Sequence, residues 1–396
     1  MSLPIFGQTP ATPAPYGLPW LRLAFRPFYL GAGLLAALIV PLWVAIFLGA
    51  VTWAPTPPTV VWHAHEMLFG FATAVIVGFL MTAGKTWTGL ATPRGSLLGA
   101  LFLLWLASRV ASLVAPYAVF AVLDLALLPA IGLIFLRLLM RSKNWRNVPL
   151  ALILLLLSVV NLTFHLSANG LIDLAPMSSL YAALGFIVMI ECVMAGRVVP
   201  FFTATALNIK IEPVVWLERS TLAATAIGLV LWVTGWHSGL AAAALALASV
   251  LNLSRQLRWQ PLATLSRPIV WILHFSYFWL SGGLALLAVA QLGGVAASYG
   301  VHALAVGATG GLIIGMMTRT SRGHTGRALQ VDAVETSAYV LVMLAAVLRV
   351  LLPLLMPAWY SYALVMSASA WTAAFLIFLW RYTPWLLTAR RDGKDG

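Results

Sequence analysis

"WHAHEMLFGFATAVIVGFLMTA", residues 62–83, opens on two histidines and a glutamate and then stays apolar for the length of a bilayer crossing. At 1.5 Å of rise per residue, a helix needs about 20 apolar residues to cross a hydrocarbon core of roughly 30 Å. The rest of the chain repeats this pattern. Of its 396 residues, 62% are hydrophobic and 8% charged, and its mean hydropathy is +0.97; soluble domains carry about 25% charged residues. The fold expected is an all-α integral membrane protein. Twelve apolar runs of spanning length, from 29–50 to 360–382, are separated by breakers such as "APTPP" after the first and "GLATPRG" after the second. The connections between helices three and four and between seven and eight ("TGWHSG") are the tightest. The expected organisation is a lead-in over 1–28, a membrane domain over 29–383 and a basic tail over 384–396. The proline-rich start has no basic segment joined to an apolar one and no cleavage site, so it does not read as a cleaved signal peptide.

The net charge of +13 is topology rather than a nucleic-acid footprint. All but Arg109 and Arg349 of the 23 basic residues fall before helix one, after helix twelve or in the even-to-odd connections. By the positive-inside rule both termini are then cytoplasmic, in a bacterial inner membrane. The single cysteine, Cys192, excludes an intrachain disulfide and a C-x-x-C-H haem attachment.

This topology gives each histidine a depth. His63 and His65 open helix two, His165 closes helix five and His302 opens helix ten, so three helices deliver four imidazoles to one outer level. Ionisable groups in spans are functional candidates, and neutral imidazole is the commonest metal ligand. Any one of them alone also fits a histidine hydrogen-bonded at the wet interface. If Thr59 caps helix two, His63 and His65 are both helical, and residues at i, i+2 face apart. They then serve different partners, and either a haem iron, a second metal or Glu66 is open to each. His237 lies in the seven-eight hairpin. His274 sits one turn from Tyr277 in the inner half of helix nine, with Glu191 of helix six near its depth as a proton relay or pairing partner. Gly307, Gly311 and Gly315 make a smooth stripe on helix ten, open either to close helix packing or to a flat porphyrin. In the loop after it, Arg319, Arg322, His324 and Arg327 are plain positive-inside charge or partners for haem propionates. "AGRVVPFFTATAL", 195–207, reads as a packed re-entrant turn at the exit of helix six.

Five blocks in order, "WHAHEMLFGFATAVIVGFLMTAGKTWTG", "NLTFHL", "AGRVVPFFTATAL", "WILHFSYFWL" and "HALAVGATGGLIIGMMTRTSRGHTGRAL", resemble the NnrS family of bacterial membrane proteins from about Arg22 to the last helix. The resemblance implies twelve helices, haem b and copper, and a part in denitrification and the response to nitric oxide stress. This chain departs from the pattern at Ala195, where a second glycine is expected before Arg197, and at Ala204 to Ala206, where a more polar run is commoner.

The expected function is a haem- and copper-binding protein that binds or reduces nitric oxide, with a quinol or cytochrome as electron donor, the lipid bilayer as its setting and no nucleic-acid partner. The metal candidates are His63, His65, His165, His274, His302 and His324. His65, His165, His274 and His302, with Arg319 and Arg327, are the haem candidates. Glu66, Glu191 and Tyr277 are the catalytic candidates, with Glu66 outside and Glu191 with His274 inside as the candidates for a proton path. A haem-copper oxidase is disfavoured because its His-Pro-Glu-Val-Tyr and paired His-His segments are absent. The alternatives are a twelve-helix secondary transporter and a cytochrome b-like electron carrier.

Overall fold

The structure, a computed structural model, describes residues 17–395. The lead-in expected over 1–28 lies outside the described residues as far as residue 16; a short 3-10 turn, Pro19–Leu21, then precedes the first long helix. The long helices are α1 (Phe25–Phe47), α2 (Thr59–Thr88), α3 (Gly95–Val114), α4 (Tyr117–Arg141), α5 (Val148–Ala168) and α6 (Pro176–Leu207). They continue as α7 (Val215–Thr234), α8 (Ser238–Leu257), α9 (Pro268–Gln291), α10 (Ala297–His324), α11 (Ala333–Leu355) and α12 (Tyr360–Leu387).

Eleven of these are long and apolar enough to cross a membrane. The exception is α7, which is the length of a span but carries Glu218 and Arg219 in its first turn. Its carboxylate is answered inside the protein, where Arg255 Nη1 of α8 donates to Glu218 Oε2 over 2.9 Å. Large apolar side chains such as Leu103, Val122, Phe278 and Trp380 stand exposed on the outer surface. Water does not favour so extensive an apolar surface, and lipid does.

Consecutive helices pack on one another, and α12 returns to lie along α1. The centre belongs to α2 and α10, whose most apolar windows are 78% and 72% buried, against 39% for α3, α4 and α8. Both central helices change winding part-way. In α2 the π-helical segment Glu66–Ala72 begins directly after His65, and in α10 the segment Ala303–Gly310 begins directly after His302. A π-turn inserts a residue into the helical ladder and recurs at functional sites. Neither segment has a proline or charge run to announce it.

Three local expectations are corrected. Pro58 stands at the boundary of α2 with no side-chain cap, and Thr59 is its first helical residue rather than its cap. Residues 195–207 are not a re-entrant turn: α6 continues helically through Pro200 to Leu207 and ends on Asn208 with φ of 53°, a left-handed stop. The tail boundary also moves, because α12 runs on to Leu387. The two tight hairpins are present. Gly235, with φ of 63°, closes α7, and His237 caps α8 by accepting the Leu240 N–H at 3.3 Å. That capping bond accounts for His237.

The glycine stripe of α10 is filled by protein. A Cβ at Gly307 would meet Trp279, one at Gly311 would meet Ser276, and one at Gly315 would lie 2.8 Å from Leu273, all on α9. These glycines admit a neighbouring helix, not a porphyrin face. Gly315→Val is expected to destabilise the protein by about 1–3 kcal/mol, the range for overpacking a filled core; thermal unfolding in detergent checks this.

At one end of the bundle, side chains tie the helix termini together. Arg26 of α1 donates from Nη1 to the Leu386 and Thr388 carbonyls at 2.8 Å, and Arg322 of α10 pairs with Glu335 of α11, whose carboxylate also accepts from Tyr382 of α12. Asp332 and Glu335 close a capping box at the start of α11. The histidine-bearing starts of α2 and α10 lie toward the other end.

Candidate metal centre and adjoining cavity

The two histidines of the opening motif part company on α2. At 3.6 residues per turn, i and i+2 are about 200° apart around the axis. His65 turns toward α3, α4 and α5, and His63 toward α1, α10 and α11. The two rings thus face different side chains.

His65 enters a buried cluster built by four helices. Its Nε2 lies 3.3 Å from Asp124 Oδ2 of α4, and His165 Nε2 of α5 lies 3.2 Å from the same oxygen. One ligand atom from each of His65, Asp124 and His165 falls within 4.8 Å of the others. Ligands held at about 2.1 Å around a tetrahedral ion are roughly 3.4 Å apart, close to both nitrogen-to-Asp124 distances. The opposite ring nitrogens are also engaged. His65 Nδ1 is 3.4 Å from Glu66 Oε1, and His165 Nδ1 is 2.9 Å from the Tyr117 hydroxyl. Metal-bound imidazoles characteristically rest their second nitrogen on a carboxylate or another polar group, which fixes ring orientation.

Asn161, one turn before His165, braces the centre. Its Nδ2 donates to Asp124 Oδ2 at 2.6 Å, and its Oδ1 faces His65 Nε2 at 3.1 Å. Arg109 of α3 bridges the two carboxylates, donating to Glu66 Oε1 at 2.8 Å and pairing with Asp124. Phe164 stacks on the His65 ring at 4.5 Å, and Phe120 sets its edge against both imidazoles. These rings keep the centre dry. Two carboxylates face one guanidinium, so with neutral imidazoles the cluster carries one negative charge too many. A buried charge needs a partner, a need that a bound cation or a proton on one imidazole would meet.

His63 faces a separate cavity of about 280 Å³ whose walls include Trp43, Tyr181, His302, Arg349 and Trp371. Its ring stacks on Trp43 at 4.2 Å, and its Nδ1 is sealed without a hydrogen-bond partner. His302 Nδ1 donates to the Ser298 carbonyl at 2.7 Å, which leaves Nε2 as the acceptor. Arg349 lies over the Tyr360 ring at 5.7 Å. Aromatic walls, two imidazoles and one guanidinium are the kinds of side chain that surround a haem and its propionate.

The other candidates stand elsewhere. His274 pairs Nε2 with Thr203 Oγ1 at 2.8 Å, and Tyr277 donates to Asn252 and accepts from Arg255. Glu191 lines a smaller cavity with Thr309, and no pairing with His274 is among the described contacts. His324 packs against Phe25, Arg319 covers the Phe202 ring at 3.6 Å and Arg327 the Trp385 ring at 4.1 Å. Arg319, Arg322 and His324 are thus in the last turns of α10 rather than in a loop; Arg319 and Arg327 face aromatic rings, and Arg322 pairs with Glu335. Asp124, Arg109, Arg349 and Tyr117 were not singled out as site residues by the sequence reading. A lone acid inside the apolar run 118–140 was the available signal, and Arg109 and Arg349 stood out only as exceptions to the charge pattern.

A many-helix membrane protein with a buried two-histidine, one-aspartate centre is the class that this fold and site define. The NnrS protein family model matches residues 19–390, nearly the whole chain. The chain belongs to the NnrS family. No curated protein matches it in a sequence search.

Proposed function

We propose that this protein binds copper and haem b in a bacterial inner membrane and binds or reduces nitric oxide there, relieving nitrosative stress. Membership of the NnrS family supports a haem or metal protein of the nitric oxide response. The observation that carries the reading is the convergence of His65, His165 and Asp124, one ligand atom of each within 4.8 Å of the others, with Glu66 and Tyr117 behind the imidazoles. Imidazole and carboxylate together suit copper. His302 and His63 are the imidazoles placed to hold a haem in the adjoining cavity, with Arg349 for a propionate. When bound, these groups supply one-electron chemistry and a coordination position for a diatomic ligand. The chain's own part is to hold the imidazoles in fixed tautomers, offset charge through Arg109 and exclude water with Phe120 and Phe164. Nitric oxide, small and apolar, partitions into lipid and reaches an interhelical site from the bilayer. A quinol or cytochrome supplies electrons if the site turns over. With α7 counted as a span, the arginine pattern puts both termini in the cytoplasm.

The test is the dithionite-reduced-minus-oxidised visible spectrum of the purified protein, repeated with nitric oxide. Sharp b-type bands that shift with nitric oxide are expected. His302→Ala is expected to abolish them, and His237→Ala, which touches only a helix cap, to leave them unchanged. A featureless spectrum in folded, haem-supplied protein would overturn the haem assignment and favour a transporter.

A further inference from the structure

Glu191 stands midway along α6, and its Oε2 is sealed from solvent without a hydrogen-bond partner. It lines a chamber of about 90 Å³ between α2, α6, α9 and α10 in which Thr309 is the only other polar residue; the remaining walls include Val75, Phe79, Val199, Leu273 and Met316. No counter-charge faces the carboxyl from any of the four helices. An ionised carboxylate isolated among apolar side chains is far costlier than the neutral acid, so the chamber favours a carboxyl that carries its proton. Thr309 belongs to the π-helical segment of α10 and lines both this chamber and the cavity of His63 and His302. Its hydroxyl oxygen is likewise sealed without a partner. Two orphaned polar groups thus lie in sequence between the middle of the bundle and the candidate cofactor cavity. The chamber's other walls include Val198, next to Arg197 in the chain, and Met316, three residues before Arg319.

We propose that Glu191 and Thr309 form a proton path into the cavity of His63 and His302. This rests on the cofactor reading of that cavity. Should a cofactor held by His63 and His302 accept an electron from the quinol or cytochrome donor, the O–H bond of Glu191 would break and its proton would pass by way of the Thr309 hydroxyl to the base so formed. The Glu191 carboxylate then takes a proton from water entering from the Arg197 and Arg319 end. One proton moves per electron delivered, and the chain's own residues gain or lose no electrons.

Two readouts test this on the purified holoprotein. The first is proton uptake on dithionite reduction, followed with a pH indicator. Glu191→Gln is expected to slow it on the order of 100-fold, the scale at which a positioned acid or base acts, with haem and copper content unchanged. Thr309→Val slows it as well, and Glu191→Asp and Thr309→Ser restore most of the rate. The second is the infrared carbonyl band of a neutral carboxylic acid, present in wild type and lost in Glu191→Gln. This band needs no cofactor, so a failed cofactor assignment is seen separately as absent haem bands. Wild-type proton uptake in Glu191→Gln, or no neutral-acid band assignable to Glu191, would overturn the proposal. Should the Gln variant not fold, Glu191→Asp and Thr309→Val against Thr309→Ser carry the same comparison.

Discussion

Asp124→Asn is expected to abolish the proposed copper binding at the centre. The substitution preserves volume and leaves hydrogen-bonding capacity toward Asn161 and Arg109, but it removes the anionic oxygen that both imidazole Nε2 atoms face at 3.2–3.3 Å. Loss of an outer partner of a metal ligand typically costs 10–100-fold in affinity, so loss of a ligand charge should exceed about 100-fold. Elemental analysis of the purified variant is the check. Folding should suffer less than binding, because the variant still contains the Arg109 and Glu66 ion pair, one cation against one anion. A variant that unfolds along with its metal would mean that Asp124 serves the helix packing instead.

Arg109→Ala is expected to do the opposite. It leaves Glu66 and Asp124 buried with no guanidinium between them. Removing one partner of a buried ion pair costs about 3–5 kcal/mol, because the remaining charge stays in a medium that cannot solvate it. The metal-free protein should therefore melt at a markedly lower temperature. A cation at His65, His165 and Asp124 would offset part of the lost positive charge, so added copper should recover stability in this variant more than in wild type. Glu66→Gln combined with Arg109→Ala should also relieve the deficit. Equal melting of Arg109→Ala and wild type without metal would remove the charge argument for the centre.

The contrast between these variants explains what the sequence could and could not convey. The spans were legible because apolar length is a local property, and eleven of the twelve expected runs became helices long and apolar enough to cross a membrane. His63 and His65 could be assigned to different partners because helical geometry alone separates i from i+2. The partners themselves were not legible. Asp124 and His165 are 41 positions apart, and only the packing of α4 on α5 brings them together. Arg109 reads as a misplaced topology charge until its two carboxylates are seen beside it. The α10 glycines illustrate an ambiguity that spacing cannot resolve: a smooth stripe is the same in sequence whether a porphyrin or α9 lies on it, and Trp279, Ser276 and Leu273 decide for the helix. The π-helical segments after His65 and His302 were invisible because no residue type compels them.

Glu66 also changes meaning in the structure. As a sequence feature it was a candidate for moving protons. In the folded chain one oxygen accepts from Arg109 at 2.8 Å and lies 3.4 Å from His65 Nδ1, a position that orients an imidazole. Glu191, with neither cation nor imidazole beside it, is the carboxyl better placed to carry a proton.

The measurement that tests the central claim most directly is an anomalous difference map at the copper absorption edge, from crystals of the copper-loaded protein. The account predicts a peak bounded by His65, His165 and Asp124, at roughly 2.0–2.2 Å from each ligand atom. A copper peak at any other residues, or no peak among these three in protein that carries copper by elemental analysis, would contradict it.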